Sequence, residues 1–301
     1  MSSNLEDAIS VAVGIARDHG VAVEKPIALR STNNTVAWLY PAPIVAKIGT
    51  GRFSRLATEL KVAQELAALG APVVHPAREM PPSVHFRDGL GVTFWRYHAQ
   101  SSPVQIPAGR IAAALRQLHA AMAKLSSAVR EHLPTYMQHL NSARSRLADP
   151  DDLQALSAPD RRLLAATFDR LQVEMIASGA PENIRVLHGE PHSGNILVVG
   201  GDLAFIDFET VCTGPVEWDL AHIDELGYGL PVNPRLLWAC QGMVSAKTAT
   251  LCWADVERGD FREHAEWHLS NLKTNIAPQL FHANSDSKRL SSDDESILKD
   301  E

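Results

Sequence analysis

The sequence predicts an α+β fold in which a strand-rich N-terminal part precedes a mostly helical C-terminal part. Three observations carry this expectation. Between residues 27 and 97, short apolar runs are broken by prolines and an Asp-Gly pair. Beyond residue 107, apolar residues step by three and four. Between these regions His98–Pro107 is polar and contains proline, the composition of a linker.

The elements follow in order. Leu5–His19 reads as an amphipathic helix, with Asn4 as its cap and Glu6 and Asp7 in the first turn, where the helix dipole favours acids. Ile27–Arg30, Thr35–Tyr40 and Ile44–Ile48 are strand-like, and Pro41 and Pro43 mark a hairpin turn between the last two. In Phe53–Leu69, Leu56, Leu60, Ala63 and Ala67 share one helical face. Val84–Phe86 and Gly91–Tyr97 flank Asp88-Gly89, a strong hairpin signal. Ile111, Leu115, Leu118, Met122 and Leu125 then mark a buried helical face, followed by helical stretches over Leu133–Leu147 and Pro159–Ser178. Ile184–Leu187, Ile196–Val199 and Leu203–Phe208 are short apolar runs, the last two joined by Gly200-Gly201-Asp202. The remainder reads as helical to about His282, and Ala283–Glu301 is a polar tail.

Composition narrows the classes. With 45% hydrophobic and 21% charged residues, the chain has an ordinary globular balance. A net charge of -7 argues against a broad nucleic-acid-binding face and suits a cationic small molecule. The three cysteines, Cys212, Cys240 and Cys252, form no CxxC pair, so neither a disulfide framework nor a cysteine zinc site is indicated. Met1–Gly20 lacks the features of a signal peptide and no run of about 18 apolar residues exists. The expected location is cytoplasmic, without a membrane partner.

The chemistry concentrates in Val186–Leu197, where polar groups crowd between two apolar runs. Twelve residues past Asn195 comes Asp207, at the end of the run Leu203–Ile206. An amide and a carboxylate at the ends of paired strands can converge on one hard cation, and magnesium needs few protein oxygens when it also binds phosphates. Two zinc readings fail. His188-Gly189-Glu190 lacks the later P-C-x-x-C of a deaminase, and His188 and His192 lie in H-x-E-x-H order rather than H-E-x-x-H. The plain alternative is a polar turn without a role.

These residues resemble the aminoglycoside phosphotransferase and choline kinase-like small-molecule kinases. The catalytic loop of that family, H-G-D-x-H-x-x-N, is matched by His188, Gly189, Glu190, His192 and Asn195. Its I-D-[WF]-E segment is matched by Ile206-Asp207-Phe208-Glu209, and its D-L-A by Asp219-Leu220-Ala221. The resemblance implies a bilobal protein-kinase-like fold, with a nucleotide-binding lobe over 1–97, a catalytic and substrate lobe over 98–282 and a tail over 283–301. It implies ATP and Mg2+ as cofactors, Asn195 and Asp207 as metal ligands, and Glu190 as the catalytic carboxylate. His188 would shape the loop, and Asp219 would be a buried carboxylate that orders it. Glu190 departs from the aspartate of the family's pattern.

The N-terminal part supplies the remaining pieces. A kinase needs a strand lysine on the α/β-phosphates, steered by a carboxylate. Lys47, ending Ile44-Val45-Ala46-Lys47, is the candidate, with Glu59 as its partner and Glu65 as the alternative. Arg30–Thr35, where Ser31, Thr32 and Asn34 are possible donors, lies where a phosphate-covering loop belongs; an ordinary turn is the other reading. The resemblance places the adenine hinge at Val92–Tyr97. Acidic residues Glu217, Asp224, Glu225, Glu257, Asp260, Glu263 and Glu266 would line a cationic acceptor pocket or form a solvated helix face. The expected activity is transfer of the γ-phosphate of Mg-ATP to a hydroxyl of a small, amino-containing molecule. A non-catalytic, pseudokinase-like nucleotide-binding module is the alternative.

Overall fold

The computed structural model describes residues 2–31, 34–51, 53–100, 106–149, 151–223 and 227–281. The chain forms two compact units. One comprises Met1–Pro134, Arg185–Thr213 and Ile223–Leu230; the other comprises Thr135–Ile184, Gly214–His222 and Pro231–Glu301. The division is not sequential: the segment with the catalytic-loop pattern falls in the same unit as the N-terminal sheet. The tail over 283–301 lies outside the described residues.

The first unit is built on an antiparallel sheet of β1 (Val23–Ser31), β2 (Thr35–Pro41), β3 (Ile44–Thr50), β4 (His85–Arg87) and β5 (Leu90–Arg96), in the order β1-β2-β3-β5-β4. All the strands anticipated there form, and β1 begins four residues earlier than its apolar run. The β4–β5 hairpin turns at Asp88 and Gly89, with φ of 52° and 74°, the doubly left-handed turn that Asp-Gly favours. Helix α1 (Ser2–Asp18) lays Ile9, Ala12, Val13 and Ala16 over Leu39, Ile44, Ala46 and Phe94, sealing one face of the sheet. Helix α2 (Phe53–Ala68) buries Leu56, Leu60, Ala63 and Leu66, and on the same buried side Glu59.

Further along this unit come α3 (Ala108–Met122), α4 (Ser127–Arg130) and β6 (Arg185–Leu187), then the hairpin β7 (Ile196–Val199) and β8 (Asp202–Phe205). Gly200 and Gly201, with φ of 60° and 94°, make its two-residue turn. The hairpin is tied to the N-terminal part through Val74 N–H to Phe205 O and Phe205 N–H to Pro72 O, at 3.0 and 2.8 Å. One boundary differs from expectation. The apolar run to Phe208 does not continue as strand, because Asp207 turns left-handed (φ 68°, ψ 63°) and a short 3₁₀ turn, Phe208–Thr210, follows. Strand β9 (Cys212–Gly214) then pairs with β6.

The second unit is helical: α5 (Tyr136–Ala148), α6 (Ala158–Ala177), α7 (Val216–Leu220), α8 (Pro234–Ala254) and α9 (Phe261–Asn271). Sequence caps set several starts. Thr135 and Gln138 form a capping box on α5, and the Asn233 side chain accepts from Arg235 N–H and Leu236 N–H at the head of α8. Helix α8 is buried on nearly all sides, which explains its near-continuous apolar sequence. Among the described residues no helix is long and apolar enough to cross a membrane.

Candidate functional site

Lys47, Glu59, Glu190, Asn195 and Asp207 all belong to the first unit. Lys47 projects from β3 on the face of the sheet away from α1, because Ala46 and Ile48, its neighbours, point into the core. Its ammonium donates to Glu59 Oε1 and Oε2 at 3.0 and 2.8 Å and to Asp207 Oδ1 at 2.8 Å. Glu209 Oε1 also lies 2.8 Å from it. Glu65, the alternative partner, is engaged elsewhere, accepting from Ser126 N–H and Oγ–H at 2.8 and 2.7 Å.

The balance of charge is the feature that matters most. One ammonium meets three carboxylates, whose oxygens approach within 4.8 Å of one another. If all are ionised, 1 − 3 leaves an excess of two negative charges at a mostly buried place. Burial pulls the Lys47 ammonium down, yet the three carboxylates outweigh it and hold the group above its ordinary value. Burial pushes the Glu59 carboxyl up to about 7, opposed by Lys47 and reinforced by Asp207 and Glu209. A divalent cation would cancel the excess, and oxygen donors are the chemistry that Mg2+ takes.

The catalytic-loop pattern folds as a tight turn against the 206–210 segment. His188 Nε2–H donates to Ile206 O at 3.0 Å, leaving Nδ1 to accept from Glu190 N–H at 3.4 Å. Gly189, with φ of 94°, lies so close to the other segment that a Cβ would sit 2.0 Å from Thr210 O. Thr210 Oγ1–H donates to His188 O at 3.3 Å. The Glu190 side chain is half-buried.

Asn195, buried, donates through Nδ2 to Glu190 O at 3.0 Å. Its Oδ1 is buried and accepts no hydrogen bond among the described residues. The backbone sets it beside Asp207: Ile206 N–H donates to Asn195 O at 3.0 Å, and β7 pairs with β8 from Ile196 and Phe205 onward. An oriented amide oxygen without a donor, next to carboxylates in excess, fits a hard cation.

Glu209 is the residue that sequence reasoning passed over. It stood in the matched I-D-F-E segment, and that was the available signal. Its Oε1 also accepts from Asn34 Nδ2 at 2.6 Å, so the β1–β2 turn is tied to the same carboxylate. Thr32, a proposed donor in that turn, lies outside the described residues, as do Asp224 and Glu225. Of the other acidic residues, Glu257, Asp260, Glu263 and Glu266 are exposed, and Glu257 and Asp260 pair with Arg262 and His264. They form a solvated surface. Glu217 is buried and accepts from Asn233 N–H at 2.9 Å; Asp219 is fully buried in the second unit.

Comparison with known proteins bears on this geometry. Residues 23–237 match the family described as "Phosphotransferase enzyme family". No curated protein matches the chain. Among solved structures, choline kinase LicA from Streptococcus pneumoniae superposes with a TM-score of 0.63 at 15% identity, covering 88% of this chain and 99% of that one. The GDP and kanamycin complex of APH(2")-IIia gives 0.64 at 14%, covering 89% and 99%. Spectinomycin phosphotransferase APH(9)-Ia, in complex with ADP and spectinomycin, gives 0.59 at 14%, covering 85% and 91%. At these identities the likeness is one of fold, and the fold is protein-kinase-like.

Two outcomes follow from the geometry alone. Lys47→Ala leaves three carboxylates uncompensated, so it should destabilise by about 3 kcal/mol or more. Glu59→Ala leaves the ammonium with two partners and should cost less. Urea denaturation of both variants and the double variant checks this, with a double-variant loss well below the sum expected for coupled groups. Gly189→Ala should cost about 2–4 kcal/mol in the same assay, since backbone rather than a flexible side chain blocks the methyl group. A loss of only a few tenths would show that the loop and Thr210 are not in close apposition.

Proposed function

Since the chain belongs to the phosphotransferase enzyme family, we propose that it is a small-molecule kinase moving the γ-phosphate of Mg-ATP to an acceptor hydroxyl. The observation that carries this reading is the cluster of Lys47 with Glu59, Asp207 and Glu209 beside the donor-free oxygen of Asn195. Such a cluster is unfavourable without a cation and ready to receive one.

Lys47, held by Glu59, would contact the α- and β-phosphates. Asn195 and Asp207 would hold Mg2+, which when bound offsets phosphate charge. Glu190 would accept a hydrogen bond from the acceptor hydroxyl, orient it, and take up its proton as transfer proceeds. His188 and Asn195 both bond the backbone of residue 190, so the carboxyl starts from a fixed base. Phosphoryl transfer demands mostly positioning and charge neutralisation, so these few groups suffice.

Glutamate in place of aspartate at position 190 is the one observation that favours the non-catalytic reading. The two acids have nearly the same reference pKa, about 4.3 and 3.9, so basicity is conserved. Reach changes by one methylene, about 1.5 Å. Pro191 restricts the backbone of residue 190, and a loop set back by that amount keeps the carboxyl in place. The acceptor we favour is a hydroxylated small molecule bearing an amine. The net charge of -7 and the spectinomycin and kanamycin named for the structural neighbours support that choice.

Three variants test the reading in a screen of ATP consumption across hydroxylated metabolites and antibiotics. Asp207→Ala should lose about a hundredfold or more in turnover and its metal-dependent ATP affinity. Glu190→Gln should lose most turnover while ATP affinity holds, and Glu190→Asp should be slower than wild type. Wild type that binds Mg-ATP and phosphorylates nothing would place the non-catalytic reading first.

A further inference from the structure

Past α2 the chain returns along the outer edge of β5. Ala77 N–H donates to Phe94 O and Arg96 N–H to His75 O, both at 3.0 Å, and Pro76 bridges Trp95 in the antiparallel sense. That pattern sets His75 directly opposite Arg96, their Cβ atoms about 5 Å apart. Side chains alternate along extended backbone, so both share a face with Ala77 and Phe94, which belong to the core under α1. Thr93, the register partner of Lys47, belongs to the other face. His75 and Arg96 therefore lie on the side of the sheet opposite Lys47.

Two more groups of the same sign join them. Burial lowers the His75 and His98 imidazoles below the ordinary histidine value. Arg96 and Arg78 lower His75 further, and Arg96 and His75 lower His98 further. Both arginines are exposed and both rings half-buried. Among the described residues none of these four side chains makes a hydrogen bond or an ion pair. Glu79, next to Arg78 in sequence, makes none either, and it lines a separate groove with His19 and Ile44. Elsewhere Arg87, Arg144, Arg146, Arg235 and Arg262 each meet a carboxylate. Like charges directly opposite one another destabilise a sheet. On a chain of net charge -7, this group lacks a counter-charge that the chain supplies to its other arginines.

We propose that Arg96, Arg78, His75 and His98 bind a phosphate group, on the side of the sheet opposite the Lys47 cluster. A guanidinium fork takes two phosphate oxygens at once, and a protonated imidazole donates to a third. The tetrahedral dianion offers oxygens to several donors together, which a single carboxylate does not. His75 and Arg78 also line an open groove of about 330 Å³ with Gln64, Ala67 and Met80, room for more than the bare ion. Free phosphate and a phosphate ester share this chemistry. The site needs neither nucleotide nor metal, so it stands or falls apart from the kinase reading.

Calorimetric titration of the full chain with inorganic phosphate and, separately, with O-phosphoserine tests it, in the absence of nucleotide and metal. Saturable binding is expected. Arg96→Gln and Arg78→Gln should each weaken it about tenfold, as for loss of a hydrogen bond to a charged group. Arg130→Gln, which removes an exposed charge elsewhere, should change nothing. Saturating phosphate should also raise the NMR titration midpoints of the His75 and His98 rings in wild type, because an anion favours the imidazolium. His75→Gln and His98→Gln assign those signals. Equal affinity for the two ligands would support the site with free phosphate as its occupant; much tighter phosphoserine would support it with an ester. No saturable binding of either ligand would overturn the proposal. So would a loss in Arg130→Gln as large as in Arg96→Gln, or histidine midpoints that stay in place in saturating phosphate.

Discussion

The first unit is organised around one buried ammonium. Placing Lys47 on a face of the sheet away from water costs several kcal/mol unless the charge is compensated. The compensation comes from α2, through Glu59, and from the 207–209 segment, through Asp207 and Glu209. Glu59 in turn accepts from Phe208 N–H at 3.2 Å, so the two sources are themselves linked. The left-handed Asp207 belongs to the same arrangement. That conformation costs about 1 kcal/mol, which aspartate tolerates better than most residues. It ends β8 and brings two carboxylates, at positions 207 and 209, to one ammonium.

A second constraint is steric. Gly189 lets the turn after His188 approach Thr210 so closely that a side chain has no room, and His188 bridges to Ile206. The turn carrying Glu190 and Asn195 and the segment carrying Asp207 and Glu209 therefore behave as one piece. Any group held by Asn195 and Asp207 stands at a set distance from Glu190, which is what a reaction governed by positioning requires.

Much of this was legible in the sequence because it is local. Asp88-Gly89 and Gly200-Gly201 announce their hairpins through backbone chemistry, and the apolar spacing of α2 and α3 announces their buried faces. What escaped is non-local. The end of the Leu203–Phe208 run depends on Asp207 turning toward a lysine 160 residues away, which no window of sequence contains. Glu209 sat inside a recognised segment, yet its significance lies in Asn34 and Lys47, brought to it by the fold. For the acidic residues near α9 the sequence left a pocket and a solvated helix face both open, and their exposure shows the wetted surface.

The partners of Lys47 also differ in when they exist. Glu59 lies 12 residues from the lysine and Asp207 lies 160. At a synthesis rate of about 5–20 residues per second, roughly 7–30 s separate their emergence. The meander β1-β2-β3 and helix α2 are complete on the nascent chain long before the 207–209 segment is made. During that interval Glu59 alone compensates the ammonium, one charge against one, and the local pair is neutral. The excess of negative charge is born only when the later carboxylates arrive.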